Sequence, residues 1–329
     1  MPTTRKLISI VTPCFNEREN VGDCFEAVRS VFARDLPGYD FEHVFCDNAS
    51  SDGTPEVLRT LAARDPRVKV ILNARNFGPF RSAFNGILST TGDAVLLMLA
   101  ADLQDPPELI PQFVQLWEAG NEVVCGVRRI REEGRLMRTI RRMYYWAVSR
   151  FADIRIPMNA GEFQLVDRRV VNALRQCEDH YPYIRGLVAN CGFRWASVEY
   201  TWRARRRGFS KNRLYHLVDQ GLNGLISFSN LPMRVCMLAG FLLSGFSILY
   251  AAFTVGYHLF NSGSAPPGIP TLIAALFLFS GVQLFFFGVL GEYVSAIHFQ
   301  VRRRPLVIER ERINFEPGEI TTQVGGKAA

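Results

Sequence analysis

The sequence lacks the spacings that announce a disulfide framework, a metal cage or a hydrolytic triad. Its seven cysteines are scattered without a single C-x-x-C pair. Several, such as Cys14 and Cys46, fall in apolar runs where a free thiol packs as a small hydrophobe, so a reducing setting is expected. Only five histidines are present, at positions 43, 180, 216, 258 and 298. His258 and His298 lie in or beside apolar stretches, and no Ser-His-Asp arrangement can be built. Neither G-x-G-x-x-G nor G-x-x-x-x-G-K-[ST] occurs, which counts against a dinucleotide-binding Rossmann enzyme and a P-loop NTPase. The net charge of +7 comes without a nucleic-acid recognition motif, so no nucleic-acid partner is expected. The apolar run in "MPTTRKLISIV" is too short for a signal peptide.

Charge is also missing locally. From Val235 to Val294 the chain is almost uncharged, whereas the preceding part mixes charged and apolar segments as a soluble domain does. Residues 235–260 and 271–294 are each long enough to span a hydrocarbon core of about 30 Å as a helix. Between them lies the uncharged turn "NSGSAPPGIP". Arg234 precedes the first run and Arg302, Arg303 and Arg304 follow the second, so a transmembrane hairpin with both ends cytoplasmic is expected. Residues 214–233 place Leu214, Leu217, Leu222, Leu225 and Ile226 near one face. They suit either an interfacial helix or packing against the soluble domain.

What remains is βα alternation. "LISIVTP", "EHVFCD", "VKVILN", "DAVLLMLA" and "EVVCGV" read as strands. The segments between them, 16–32, 54–64, 79–91 and 106–117, have helical apolar spacing. Continuously apolar strands indicate a parallel sheet covered on both faces. Ligands of such sheets bind at the carboxyl ends of the strands. The residues just past those ends are Pro13, Asn16 and Glu17; Asp47, Asn48 and Asp52; Arg75 and Asn76; and Asp102 and Gln104. Asp52 doubles as a cap for the helix that begins near Thr54. "DPPE" reads as Asp105 at an N-cap, proline at N1 and Glu108 at N3. Arg128, Arg129, Arg131, Arg135, Arg138, Arg141 and Arg142 form a basic run. It is either a solvated helix face or a site for anionic headgroups or phosphorylated substrates.

The blocks "SIVTPCFNERENV", "CDNASSDGT", "NARNFGPFRSAFNGI", "DLQDPPELI", "GVRR", "FQLVDRRVV", "RGFSKN" and "GEYV" with "RRRPL" are similar to those of glycosyltransferase family 2 enzymes of the polyprenyl-phosphate type. They run in family order over nearly the whole chain. The resemblance implies a GT-A fold, Rossmann-like with a mostly parallel sheet, over residues 1–213. A juxtamembrane helix (214–233), the hairpin (234–296) and a cytoplasmic C-terminal tail (297–329) would follow. It implies inverting transfer of a sugar from a UDP- or GDP-sugar to a polyisoprenyl phosphate at the cytoplasmic face of the cell membrane, in the service of cell-envelope glycans. Transfer to another lipid and a catalytically degenerate scaffold are the alternatives.

Pro13, Phe15, Glu17, Asp47, Arg75 and Lys211 would bind the nucleotide sugar. Asp102 and Gln104 would hold Mg²⁺ or Mn²⁺ on its diphosphate, and Arg128 with Arg138 or Arg141 would bind the acceptor phosphate. Glu162 is the implied base or acceptor-orienting carboxylate, and a homotetramer the implied assembly. The chain departs from the family pattern at Ala100, where relatives carry the first aspartate of D-x-D, and at Asn48 and Ala49, where they read Asp-Gly. Mg²⁺ is usually held by one or two carboxylates plus phosphate and water, so Asp102 alone can still serve.

Overall fold

The computed structural model describes residues 5–128, 160–177, 179, 182–201, 236–242, 245–246, 249, 253, 269–302 and 304–316. Five strands rise in the order expected: β1 (Lys6–Cys14), β2 (Tyr39–Asp47), β3 (Val68–Asn73), β4 (Ala94–Leu96) and β5 (Val123–Arg128). Three more follow: β6 (Ala160–Asp167), β7 (Trp195–Tyr200) and β8 (Glu309–Ile313). The eight form one sheet in the order β7-β5-β6-β4-β1-β2-β3-β8.

β1 pairs in parallel with β2 and β4, and β2 with β3, so the centre of the sheet is the parallel array expected. The sheet is mostly parallel, as expected, with antiparallel strands at both sides. β6 inserts antiparallel between β4 and β5. β8 closes the far edge antiparallel to β3, so the segment expected only as a tail supplies a strand of the sheet. β4 is shorter than expected: beyond Leu96 the chain continues through the Leu97 N–H bonded to the Gln164 carbonyl and the Leu99 N–H bonded to that of Val11, both at 2.8 Å.

Helices cover both faces. α1 (Val21–Asp35), α2 (Thr54–Arg64) and α4 (Ile110–Glu118) lie on one. On α1 the buried residues Val21, Cys24, Phe25, Val28 and Phe32 recur at three and four positions, the stripe an amphipathic helix needs. Residues 16–20 are loop rather than the start of this helix. α3 (Pro79–Leu88), α5 (Arg168–Gln176) and α6 (Ile184–Asn190) lie on the other face. α3 sits so close that a Cβ on Gly86 would collide with Cys46 Sγ and Val11 Cγ1. Glycine there is a requirement of helix-on-sheet approach.

α7 (Ile269–Val301) is a helix of 33 residues. Taken over residues whose side chains are described, no helix is long and apolar enough to cross a membrane, so the expected hairpin is not established by the structure. The first apolar run falls mostly outside the described residues, and of the second it is the backbone that is continuous.

Candidate active site

The loops after β1 and β2 interlock. The Asn16 N–H donates to Ser50 Oγ at 2.8 Å, and the Ser51 N–H returns a bond to Asn16 Oδ1 at 2.8 Å. Glu17 N–H donates to Thr54 Oγ1 at 3.0 Å, and Arg18 N–H to Asp52 Oδ2 at 3.2 Å. Asp52 also accepts from the Thr54 N–H at 3.0 Å, although the cap position of that helix is Gly53, one residue later than expected. Pro13, Phe15 and Glu17 are thereby placed beside the end of β2, where Cys14 pairs with Asp47.

Asp47 is buried. Burial pushes its carboxyl above the ordinary value, and the hydroxyl and N–H of Ser50, the latter at 3.0 Å, pull against that rise. Asn48 joins β2 to β3: its Oδ1 accepts from Asn73 Nδ2 at 3.2 Å and from the Phe77 N–H at 3.3 Å. Arg75, two residues past β3, is exposed and stacks over Phe77 at 4.0 Å.

After β4 the chain turns through Ala100 to Asp105. The Leu103 N–H bonds to the Ala100 carbonyl at 3.1 Å, and Asp102, buried, accepts from the Gln104 N–H at 3.2 Å. Asn16, Ala49 and Leu103 all have φ of 56°. The loops after β1, β2 and β4 thus each turn through a left-handed residue that is not glycine, a conformation that costs free energy and clusters at functional sites. Asn16 was legible as an αL-tolerant type; nothing in the sequence marks Leu103.

Asp105 does not cap a helix. Pro106 itself stands in the cap position with an extended backbone, ψ 120°, ahead of a short 3₁₀ turn, Pro107–Leu109, that leads into α4. A residue before proline is pushed out of the helical region, which moves the cap one place on. Asp105 instead turns inward. Arg128 Nη2 donates to its two carboxylate oxygens at 3.2 and 3.4 Å, and the Tyr200 hydroxyl also donates to it. Arg128 Nε donates to the Tyr200 oxygen at 3.1 Å. Parallel pairing of β5 with β7 sets Arg128 opposite Tyr200.

Burial raises the Asp105 carboxyl, with Arg128 and Tyr200 pulling it back. For Arg128, burial acts downward, but Asp105 and then Tyr200 outweigh it and hold the guanidinium above its ordinary value. Glu162, on β6, adds its charge to this group and forms an ion pair with Arg185 at 3.7 Å. Arg185 Nε in turn donates to the Tyr183 hydroxyl at 2.6 Å.

The structure therefore gathers the expected residues into two neighbouring groups along one sheet edge. Pro13, Phe15, Glu17 and Asp47 stand together, and Arg128 and Glu162 stand together. The loop carrying Asp102 and Gln104 reaches the second group through Asp105. Arg138, Arg141 and Lys211 lie outside the described residues. Sequence reasoning missed Tyr200 and Arg185, whose places depend on strand register and on an ion pair between distant segments. Among the described residues no group of three or more His, Cys, Asp or Glu could hold a metal ion. Asp102 and Gln104 are too few for an all-protein cage, and an ion held there would need a ligand's phosphates and water to complete it.

A model described as glycosyl transferase family 2 matches residues 9–175, and one described as the GtrB C-terminal hairpin matches residues 231–297. An uncharacterized glycosyltransferase, YkcC, from Bacillus subtilis is 35% identical over 309 residues, 94% of each chain. A bactoprenol glucosyl transferase from Shigella phage SfX is 33% identical over 306 residues, 93% of this chain and 99% of that one. Among solved structures, a mannosyltransferase from Pyrobaculum calidifontis in complex with GDP-Man and Mn²⁺ is 19% identical. It covers 91% of this chain and 88% of its own, with a TM-score of 0.47.

Proposed function

The chain belongs to glycosyltransferase family 2, and from that premise we propose that it moves a sugar, with inversion, from a nucleotide-diphosphate sugar to a polyisoprenyl phosphate at the cytoplasmic membrane face. The observation that carries the proposal is the paired layout of the sheet edge, with buried carboxylates Asp47 and Asp102 on one side and the partly buried cation Arg128 on the other. The first group suits a nucleotide and its diphosphate. The second suits an acceptor that is itself an anion, since a phosphomonoester has its second pKa near 6. The bactoprenol name of a relative that aligns over nearly its full length supports a lipid-linked acceptor.

The path of the chain supports a membrane setting. Strands β1–β7 precede the apolar stretch and β8 follows it, in one sheet. A chain that leaves this sheet for the bilayer and returns to it crosses an even number of times, which suits a hairpin with both ends on one side. Large apolar side chains on α7, among them Leu284, Phe285 and Phe287, are exposed, as lipid-facing residues would be. From Val301 the chain reaches Ile308, whose carbonyl accepts from the Ala74 N–H at 2.8 Å beside the carboxyl end of β3. Those seven residues span at most about 25 Å. The proposed catalytic edge is then held within reach of the bilayer surface, where a lipid phosphate would be presented.

In this proposal Asp47 and its neighbours bind the nucleotide, Asp102 and Gln104 would hold the divalent ion, and Arg128 orients the acceptor oxygen toward the sugar. When bound, such an ion offsets the charge that develops on the departing diphosphate. Since Asp102 and Gln104 are the two side chains assigned to it, the ion should bind with the donor rather than before it. Membranes containing the protein, given radiolabelled UDP- or GDP-sugars and undecaprenyl phosphate with Mg²⁺ or Mn²⁺, are expected to form a metal-dependent glycolipid. Failure with every common donor, beside an active relative, would refute this.

Ala100, in the place of the first family aspartate, favours one second reading, a catalytically degenerate scaffold that no longer binds the donor. Under that reading Asp102→Asn leaves cellular function intact, and nucleotide sugar does not raise the melting temperature.

A further inference from the structure

Arg128 is assigned above to the acceptor phosphate, and the inference drawn next rests on that assignment. A phosphate-binding arginine is ordinarily a long, mobile side chain that loses rotamer freedom when it binds. Arg128 is different, because its guanidinium is already fixed. Nη2 is held by both carboxylate oxygens of Asp105 at 3.2 and 3.4 Å, and Nε by the Tyr200 hydroxyl oxygen at 3.1 Å. The side chains of Arg128 and Asp105 are only 17% and 7% exposed. Tyr200 is buried as well and donates to the same carboxylate, so the three groups close a ring of hydrogen bonds.

Two of the three come from adjacent strands in register, where Arg128 and Tyr200 are parallel partners. The third comes from elsewhere. Asp105 belongs to the loop after β4, one residue past Gln104 and three past Asp102, whose carboxylate accepts from the Gln104 N–H. One short, strained segment with Leu103 in the left-handed region therefore carries the donor-side groups at one end and grips the acceptor-side cation at the other. A carboxylate beside a phosphate-binding cation weakens the attraction for the phosphate. Placing one here is reasonable only if position matters more than net charge.

We infer that Asp105 and Tyr200 are positioning residues that fix the Arg128 guanidinium relative to Asp102, and so set the acceptor phosphate in line with the donor sugar. A purely structural pair would tie the loop to the sheet and no more. The two roles differ in kinetics. If Asp105 positions Arg128, its loss disturbs acceptor binding and turnover while leaving donor binding alone. If it only holds the fold, its loss lowers the melting temperature and leaves both Michaelis constants unchanged.

The full-length protein in nanodiscs is assayed with undecaprenyl phosphate and whichever nucleotide sugar the wild type uses. For Asp105→Ala the acceptor KM is expected to rise about tenfold and kcat to fall about tenfold, with the donor KM unchanged, as for loss of a preorganised contact. Asp105→Asn keeps the acceptor oxygen for both donors and is expected to restore most of that loss, although it removes the charge. Tyr200→Phe, which removes one ring member without a cavity, is expected to raise the acceptor KM about threefold; it decides the matter if Asp105→Ala does not fold. Unchanged acceptor KM and kcat in the folded variants, beside an active wild type, would overturn the positioning role alone. A wild type that makes no polyprenyl glycolipid would overturn the assignment of the acceptor, and this inference with it.

Discussion

Asn85 donates its side-chain amide to Glu309 at 2.6 Å across 224 residues of sequence. This bond joins α3 to β8, the strand that arrives only after the apolar stretch. Glu309 also accepts from Arg312, which reaches Ser89 Oγ at 3.1 Å. Removing Glu309 takes a charged partner from the half-buried Arg312 and from the Asn85 amide. Glu309→Ala is expected to lower stability by about 2 kcal/mol, the scale of hydrogen bonds to a charged group, in thermal unfolding of the detergent-solubilised protein. Truncation before residue 304 is expected to do worse and to aggregate, because the bare β3 edge is a template for pairing.

Glu42 is buried under the sheet with Lys69 Nζ at 2.9 Å, Ser9 Oγ at 2.6 Å and the Thr91 N–H at 2.8 Å. Burial pushes its carboxyl up, yet the bonds from Ser9, Thr91 and Lys69 outweigh burial and leave it below the ordinary value of 4.5. An acid with a depressed folded pKa contributes stability that is present above its unfolded pKa and lost as pH falls through the folded one. The stability difference between wild type and Glu42→Gln, from urea unfolding, should therefore be full at pH 7 and shrink below pH 4.5. A difference that grew on acidification would contradict the ionised pair.

Ala49 sits at φ 56°, in the left-handed region. Its N–H is turned toward the Asp47 carboxylate. The left-handed region costs a residue with a Cβ about 1–2 kcal/mol, partly offset by the larger unfolded-state freedom of glycine. Ala49→Gly is expected to stabilise by about 0.5 kcal/mol with an unchanged donor KM, and Ala49→Val to destabilise. Differential scanning calorimetry beside donor kinetics checks both.

Much of this was legible because local pattern and tertiary role coincide. The spacing of Val21, Cys24, Phe25 and Val28 gives α1, and the apolar runs at 42–47 and 68–73 give β2 and β3, since a strand buried on both faces has few other solutions. Gathering of Glu17, Asp47 and Asp102 at one edge follows from parallel order alone. Elements whose partner is remote in sequence were not legible. "ERERI" is charged and short, and becomes a strand only because β3 offers an edge. Asp105 has the local look of a helix cap, and its true partners, Arg128 and Tyr200, become neighbours only through the register of β5 with β7.

Glu162 separates the two acceptor chemistries. Its carboxylate forms an ion pair with Arg185 at 3.7 Å. A lipid phosphate arrives ionised and needs little help with a proton, whereas an alcohol must lose one during transfer. Removing a general base costs about 10²–10⁴-fold in rate. Glu162→Gln is therefore expected to lose less than about tenfold in kcat, with the effect concentrated in acceptor KM. Its rate should still rise with pH up to the second ionisation of the phosphate, near 6. A loss of a thousandfold, together with the disappearance of any titration near that pH, would make Glu162 the base and direct the search to an alcohol acceptor.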